Sequence, residues 1–476
     1  MLTSESGPTG VVERASQGAR LLTARGAAMR VVSIGSNLAL VALVAPADFG
    51  LLAIVRGVTG VAGTSSDLGF AWALLRRSTA PSDEEYGALA GMQAILLVGF
   101  LALVVAFPSL LSMVGAVPAA WRGWMIAVLA TMLTVPAGTG ARIRIERAMD
   151  YRRIAIADMT SVALQNLALL GFAIAGRFAL GVFVSTGATL LYNNLLLWYW
   201  SPGPGPAFRL GEWRRLSREF AGFSLGHAGS VLGNAVTPIV LAQLFGLSAA
   251  GIWSLAVRLG NVLQLTFEGF RRAAVPAAAL LADSRRQLRQ LAQNSLVGAA
   301  RLTVPLMAMM YAALPALGWL LPKWAPAVVT TQLYILGFGL SSLLGASIIP
   351  VAVTLEGPRP VVIEQFVPLL VGWSGFGVLA LLHRSSIAWA VLPMYGALIV
   401  ALWRVARRDV RPRFGGELLS LGAALATTVA VTAVQQLLGV PLVVVPAAGV
   451  LIFGLFWLIP RLGSPAPSAS DAEGLA

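Results

Sequence analysis

The chain has 476 residues, of which 57% are hydrophobic and 11% charged, with a mean hydropathy of +0.80. A soluble domain carries about 25% charged residues, so this composition excludes a water-soluble fold and makes lipid the solvent. The formal charge of +14 does not mark a nucleic-acid binder. Its basic residues recur in short clusters between apolar stretches, the positive-inside pattern of a membrane protein. Nearly all are arginine, Lys323 being the single lysine, and cysteine is absent, which removes disulfides, thiol catalysis and cysteine metal sites.

Residues 1–13 are polar, and Arg14, Arg20, Arg25 and Arg30 interrupt the stretch where the apolar core of a signal peptide would sit. The N-terminus is therefore expected to be a disordered cytoplasmic segment running into the first span. A span needs about 20 mostly apolar residues. On that criterion helices are expected near 21–45, 48–75, 86–106, 121–143, 154–176, 179–200, 220–245, 249–271, 294–321, 328–354, 361–382, 385–405, 414–437 and 441–460. The expected fold is an all-α polytopic membrane protein of about fourteen spans.

Alternate loops carry the arginines. One side holds Arg76 and Arg77, the cluster from Arg142 to Arg153, Arg209 to Arg218, Arg271 to Arg289, and Arg404 to Arg413. The other side receives Arg122, Arg177, Lys323 and Arg384. Both termini are accordingly expected in the cytoplasm. The hydrophilic break Ser201–Glu219 opens Ser-Pro-Gly-Pro-Gly-Pro, a linker composition, and separates six spans from eight. This gives an N-lobe over 14–200, a cytoplasmic linker over 201–219 and a C-lobe over 220–408. Two additional spans follow over 409–463, then a disordered cytoplasmic tail over 464–476.

The second span opens Ala-Asp-Phe-Gly50 and reaches Arg56; the eighth opens Ala-Ala-Gly251 and reaches Arg258. Six spans separate the two, so both helices run in the same direction. That spacing predicts parallel repeats about an axis along the membrane normal, a transporter arrangement.

Ionisable groups at bilayer depth are costly and face a bundle interior or a watery cavity. Helical spacing aligns Arg30, Ser33 and Asn37 in span one, and Arg56, Thr59, Gly63 and Asp67 in span two. His227, Ser230 and Asn234 align in span seven, with Pro238 one turn on; Arg258, Asn261, Gln264 and Glu268 align in span eight. Asp158, Ser161 and Gln165 share a face of span five, and Glu364 lies in span eleven. A structural role stands beside the functional one: small and polar residues glue transmembrane helices, Arg25 and Arg30 can snorkel to headgroups, and Arg56 and Arg258 can pair with Asp67 and Glu268. His227 reads first as an interior histidine and second as a proton switch. Arg56 and Arg258 lie about seven residues past their outer glycines, roughly 10 Å deep. Four arginines (Arg25, Arg30, Arg56, Arg258) against two acids (Asp67, Glu268) make a cavity suited to an anion such as pyrophosphate, which guanidinium binds in a bidentate manner.

The run Val44-Ala-Pro-Ala-Asp-Phe-Gly50, the segment Ser66-Asp-Leu-Gly-Phe-Ala71 and the motif Arg147-Ala-Met-Asp-Tyr-Arg-Arg-Ile154 resemble bacterial polysaccharide exporters. So do Gly251-Ile-Trp-Ser-Leu-Ala-Val-Arg-Leu259 and Val275-Pro276 before a basic loop. These exporters are lipid-linked oligosaccharide flippases of the multidrug/oligosaccharidyl-lipid/polysaccharide superfamily. The resemblance implies a V-shaped pair of six-helix lobes around a cavity lined by spans 1, 2, 7 and 8. Related lipid II flippases carry functional arginines in spans one, two and eight, which Arg25, Arg30, Arg56 and Arg258 match in position, and their last two spans form a lipid groove.

The implied function is alternating-access transfer of an undecaprenyl-pyrophosphate-linked oligosaccharide across the bacterial inner membrane. Membrane lipid, a polysaccharide polymerase and glycosyltransferases are the implied partners. No cofactor is expected beyond a coupling cation or proton. A multidrug/cation antiporter of the same superfamily is the alternative, and it would depend on a buried acid such as Asp67. A membrane-embedded enzyme acting on lipid-linked sugars needs a catalytic outer loop, and the outer loops are short; a structural scaffold is disfavoured by the buried charge.

Overall fold

The computed structural model describes residues 35–67, 81–113, 116–148, 150–215, 231–357, 359–384, 386–410 and 415–438, with the separate positions 32, 33, 74 and 229. Arg25, Arg30, His227, the chain termini and the expected last span over 441–460 lie outside the described residues. Among those described there is helix and connecting loop, and no strand. Nine helices among the described residues are long and apolar enough to cross a membrane, and the chain is a multi-pass membrane protein.

The helices run α1 (35–43), α2 (Pro46–Asp67), α3 (Asp83–Ala106), α4 (Ser109–Met113), α5 (Arg122–Thr131), α6 (Val135–Arg147), α7 (Tyr151–Ile174) and α8 (Phe178–Trp200). Then follow α9 (Thr237–Phe245), α10 (Leu247–Leu280), α11 (Arg285–Leu320), α12 (Ala327–Glu356), α13 (Arg359–Leu381), α14 (Ala388–Asp409) and α15 (Gly416–Leu438). Together α5 and α6, joined by a 3₁₀ turn, make the expected fourth span.

Local chemistry sets these boundaries. Ser82 caps α3 in a capping box: its hydroxyl accepts from the Glu85 N–H at 3.3 Å, and the Glu85 carboxylate accepts from the Ser82 N–H at 2.9 Å. Such a cap is worth about 1 kcal/mol. Asp150 and Ser284 cap α7 and α11 by accepting from the N–H three residues on. A single residue, Gly246, separates α9 from α10, and its φ of 85° is a left-handed conformation that glycine adopts without a Cβ clash.

Two compact units share the chain: Met1–Ser254 with Phe376–Ser385, and Leu255–Gly375 with Ser386–Ala476. In the first, α7 packs along α8, and α8 also packs on α2, α5 and α6. Arg142 of α6 grips Asp158 of α7 through two bonds of 2.8 and 3.2 Å and reaches Glu146 at 3.0 Å. Ion pairing thus satisfies the acid that the sequence places at depth in span five. In the second unit α11 packs on α12 and α15, and α12 on α14. Tyr334, Phe338 and Tyr395 meet with ring centroids 5.4 to 6.4 Å apart. The Gln436 amide of α15 donates to Gln332, whose own amide donates to the Tyr311 carbonyl, so the thirteenth span is stitched to its unit by side-chain amides. Only 17% of the apolar window of α13 is buried, and Leu370 and Val378 stand exposed on it. Surface of that kind is stable against acyl chains.

Candidate functional site

Helix α2 packs on α3, α5, α8 and α9 of the first unit, and its two sides do different things. At 100° per residue, Gly50, Gly57 and Gly60 fall on one side, while Arg56, Thr59 and Gly63 fall on the next. A Cβ built on Gly50 would lie 2.8 Å from the Leu247 carbonyl carbon and 3.1 Å from the Gly251 nitrogen. One on Gly251 would lie 2.8 Å from the Pro46 carbonyl carbon and 3.0 Å from the Gly50 nitrogen. The contact is reciprocal: a carbonyl four residues before each glycine meets the other glycine. This is the relation a local two-fold produces, and it joins the two glycines that the sequence pairs as repeat equivalents.

Further along α2, Gly57 lies against the Ala235 carbonyl, and a Cβ on Gly60 would meet the Ala235 methyl at 3.2 Å. Ala235 belongs to a π-helical turn, Leu232–Val236, that precedes α9. Pro238 explains it, since proline cannot donate to the carbonyl one turn earlier and the helix absorbs the defect as a widened turn. Asn234 is exposed within that turn. Non-helical backbone at membrane depth is tolerated where protein or a watery cavity covers it. At the opposite end of α9, Gln243 donates to the Ser112 and Met113 carbonyls at 2.8 Å each, closing the α4 end of the unit.

The polar side of α2 faces the helices of its own unit. Arg56 Nη2 donates to the Gln165 amide oxygen of α7 at 3.1 Å, and a Cβ on Gly63 would contact Met132 at 3.5 Å. Arg56 stays exposed although it sits mid-helix. Its described partner is a neutral amide, which orients the guanidinium without cancelling its charge. The sequence names Gln165 for span five, but only packing makes it the group that aims Arg56. Gly57, which follows Arg56, touches the residue that follows Asn234. That helix crossing brings exposed Arg56 and exposed Asn234 to its flanks.

The remaining expected residues are distributed as follows. Asn37 is half-buried in α1, Asn261 exposed in α10, and Arg258 half-buried in the part of α10 that belongs to the second unit. Asn37, Asn234 and Arg258 each have a polar or electrostatic partner. Asp67 and Glu268 are helical, Asp67 closing α2 and Glu268 within α10. Glu364 of α13 lies beside Gly345 and 3.6 Å from Arg271, within the second unit. The stripe Gly50, Gly57 and Gly60 is the feature that polar-residue reasoning passes over; the legible signal was small residues on one helix side.

Comparison with solved structures places the fold. A lipid II flippase, MurJ, in an inward closed conformation superposes with a TM-score of 0.70 at 11% identity, covering 92% of this chain and 98% of that one. An inward-facing multidrug-resistance MATE transporter of the MOP superfamily gives 0.57 at 13% identity, covering 80% and 94%. The fold is therefore that of MOP-superfamily transporters. A comparison with curated protein sequences finds no match. Residues 39–329, 291 of the 476, match the family described as polysaccharide biosynthesis protein, and the chain belongs to that family.

Proposed function

We propose that the protein is a flippase that carries an undecaprenyl-pyrophosphate-linked oligosaccharide across the bacterial inner membrane by alternating access, for cell-surface polysaccharide. The observation that carries this reading is Arg56, an exposed guanidinium in the middle of an apolar helix, aimed by the neutral Gln165. Exposing a cation at that depth is costly, and the cost is offset when a diffusible anion is the intended partner. Family membership supports polysaccharide as the end product, and the likeness to a lipid II flippase supports a lipid-linked cargo. Arg25, Arg30 and Arg258 complete the anionic subsite in this reading, with Asn37, Asn234 and Asn261 toward the sugars. The polyprenyl tail stays in lipid, a cation or proton resets the cycle, and both termini are cytoplasmic.

In this reading the reciprocal Gly50–Gly251 contact, which joins the starts of α2 and α10 at the ends away from the arginine-rich loops, is the outer closure of the transport cycle. Cells lacking the protein should accumulate the lipid-linked oligosaccharide on the inner leaflet. Arg56→Ala and Arg258→Ala should each reproduce that accumulation. Normal export by both variants would overturn the cavity assignment, and normal export in the deletion strain would overturn the function itself.

The MATE-like fold supports a second reading, cation-coupled drug export. It requires Asp67→Asn to abolish transport while Arg56→Ala is tolerated. The chemistry throughout is transport, with no bond made or broken.

A further inference from the structure

Residues 201–215, which follow α8, are strapped onto the start of α3. Ala207 donates its N–H to the Gly87 carbonyl at 2.8 Å, and Gly91 lies directly against the Ala207 carbonyl. Trp213 donates its indole N–H to the Ala88 carbonyl at 2.8 Å; Arg209 pairs with Glu84 at 2.6 Å and Arg215 with buried Glu85. Under this strap is a cavity of about 330 Å³, walled by Tyr86, Leu133, Gly140, Arg144, Trp198 and Pro204 among others.

Its two ends differ. At one, Arg144 of α6 donates from Nη2 to the Ser201 carbonyl at 2.7 Å and from Nε to the Ser201 hydroxyl at 3.2 Å, and it lies over the Tyr86 ring at 5.2 Å. Nη1 has no acceptor, and the guanidinium no carboxylate within salt-bridge distance, among the described residues. At the other end Leu133 is large, apolar and 41% exposed, while Trp198, 45% exposed, stands one turn before Ser201 and so beside the Arg144 end. Leu133 precedes Arg144 by eleven residues, about 16 Å along the axis, and the floor between them is Ala90, Ala94, Ala137 and Gly140. Arg144 lies in the last turn of α6 and Trp198 two residues before the end of α8, where arginine and tryptophan meet the headgroup layer.

We propose that this groove is a binding site for one phospholipid of the leaflet next to the arginine-rich loops. The phosphate takes the remaining donors of Arg144, and the acyl chain lies over the small-residue floor between Trp198 and Leu133. A single arginine matches one phosphodiester, whereas a pyrophosphate carrier would call for more cations. The groove is also formed by α3, α6, α8 and the strap, apart from the polar side of α2. The bound lipid would seal the strap to α3 and α6.

The test is native mass spectrometry of the detergent-purified full chain, titrated with phosphatidylglycerol after delipidation. The wild type should retain one lipid. Arg144→Gln should weaken retention about tenfold or more, as loss of a charge-assisted contact does. Because that variant also loses the Ser201 bonds, Gly140→Leu is the decisive partner. A Cβ at Gly140 meets nothing within 4 Å, so the leucine fills the groove and leaves Arg144 and the strap in place. Equal retention by Gly140→Leu and wild type would overturn the site. Displacement of the lipid by inorganic phosphate alone would make it a free-anion site, and one-for-one displacement by a polyprenyl pyrophosphate would make it a substrate site; either result overturns the proposal.

Discussion

The reciprocal glycine contact is the feature most open to a quantitative test. In Gly50→Ala the new methyl meets backbone, with the Leu247 carbonyl carbon at 2.8 Å and the Gly251 nitrogen at 3.1 Å, so no side-chain rotation relieves it. The ends of α2 and α10 must move apart, and overpacking of this kind costs about 1–3 kcal/mol. Alanine also regains helix propensity of up to about 1 kcal/mol. That gain applies equally whether the ends are closed or parted, so it cancels. The closed arrangement should therefore lose about 5- to 150-fold in population relative to the open one. The chain has no cysteine, so Ala250→Cys provides a unique thiol at a position that is 0% exposed in the closed contact. A membrane-impermeant maleimide, applied from the side opposite the arginine-rich loops, should label Ala250→Cys slowly and the Gly50→Ala double variant faster by that factor. Gly99→Ala, where a Cβ meets nothing within 4 Å, should leave the rate unchanged. Equal labelling with and without Gly50→Ala would refute the contact as the closure.

Three other outcomes are expected. Asp158→Asn leaves half-buried Arg142 with Glu146 alone and should cost about 2–4 kcal/mol in thermal unfolding of the solubilised protein; replacing both Arg142 and Asp158 by apolar residues should recover most of it. Gln165→Leu removes the acceptor that aims Arg56, worth about 0.5–1.5 kcal/mol, so apparent substrate affinity in a reconstituted flipping assay should fall about two- to tenfold, whereas Arg56→Ala abolishes flipping. Gly91→Val places carbon into the Ala207 carbonyl and should lift the strap, so limited trypsin digestion should cut after Arg209 sooner than in the wild type, with α3 intact.

The relation between the sequence pair Gly50/Gly251 and its role shows what each level supplies. Local sequence specified membrane helices and their order, because a run of about 20 apolar residues has one low-energy solution in lipid. It specified caps such as Ser82 and Asp150 for the same local reason. It also marked Arg56, because an ionisable group inside such a run stands out without any neighbour. What it left undecided was which side of α2 meets which helix. Gln165 follows Arg56 by 109 residues and Leu247 follows Gly50 by 197, and no local pattern encodes such pairings.

The strap is the clearest instance. Ser201 to Pro206 has the composition of a flexible connector, yet Gly87 and Gly91 present bare backbone on α3 and the proline-rich chain settles there. Composition describes a segment's own conformational freedom and says nothing of the surface waiting for it. Arg142, Arg144 and Arg56 are chemically identical, and the sequence assigns two to orientation and one to function by depth alone. Tertiary packing separated them further, pairing Arg142 with two carboxylates, bonding Arg144 to neutral oxygens at the edge of a groove, and leaving Arg56 exposed beside an amide. The physical reason is that a charge is defined by its partners, and partners come from the fold.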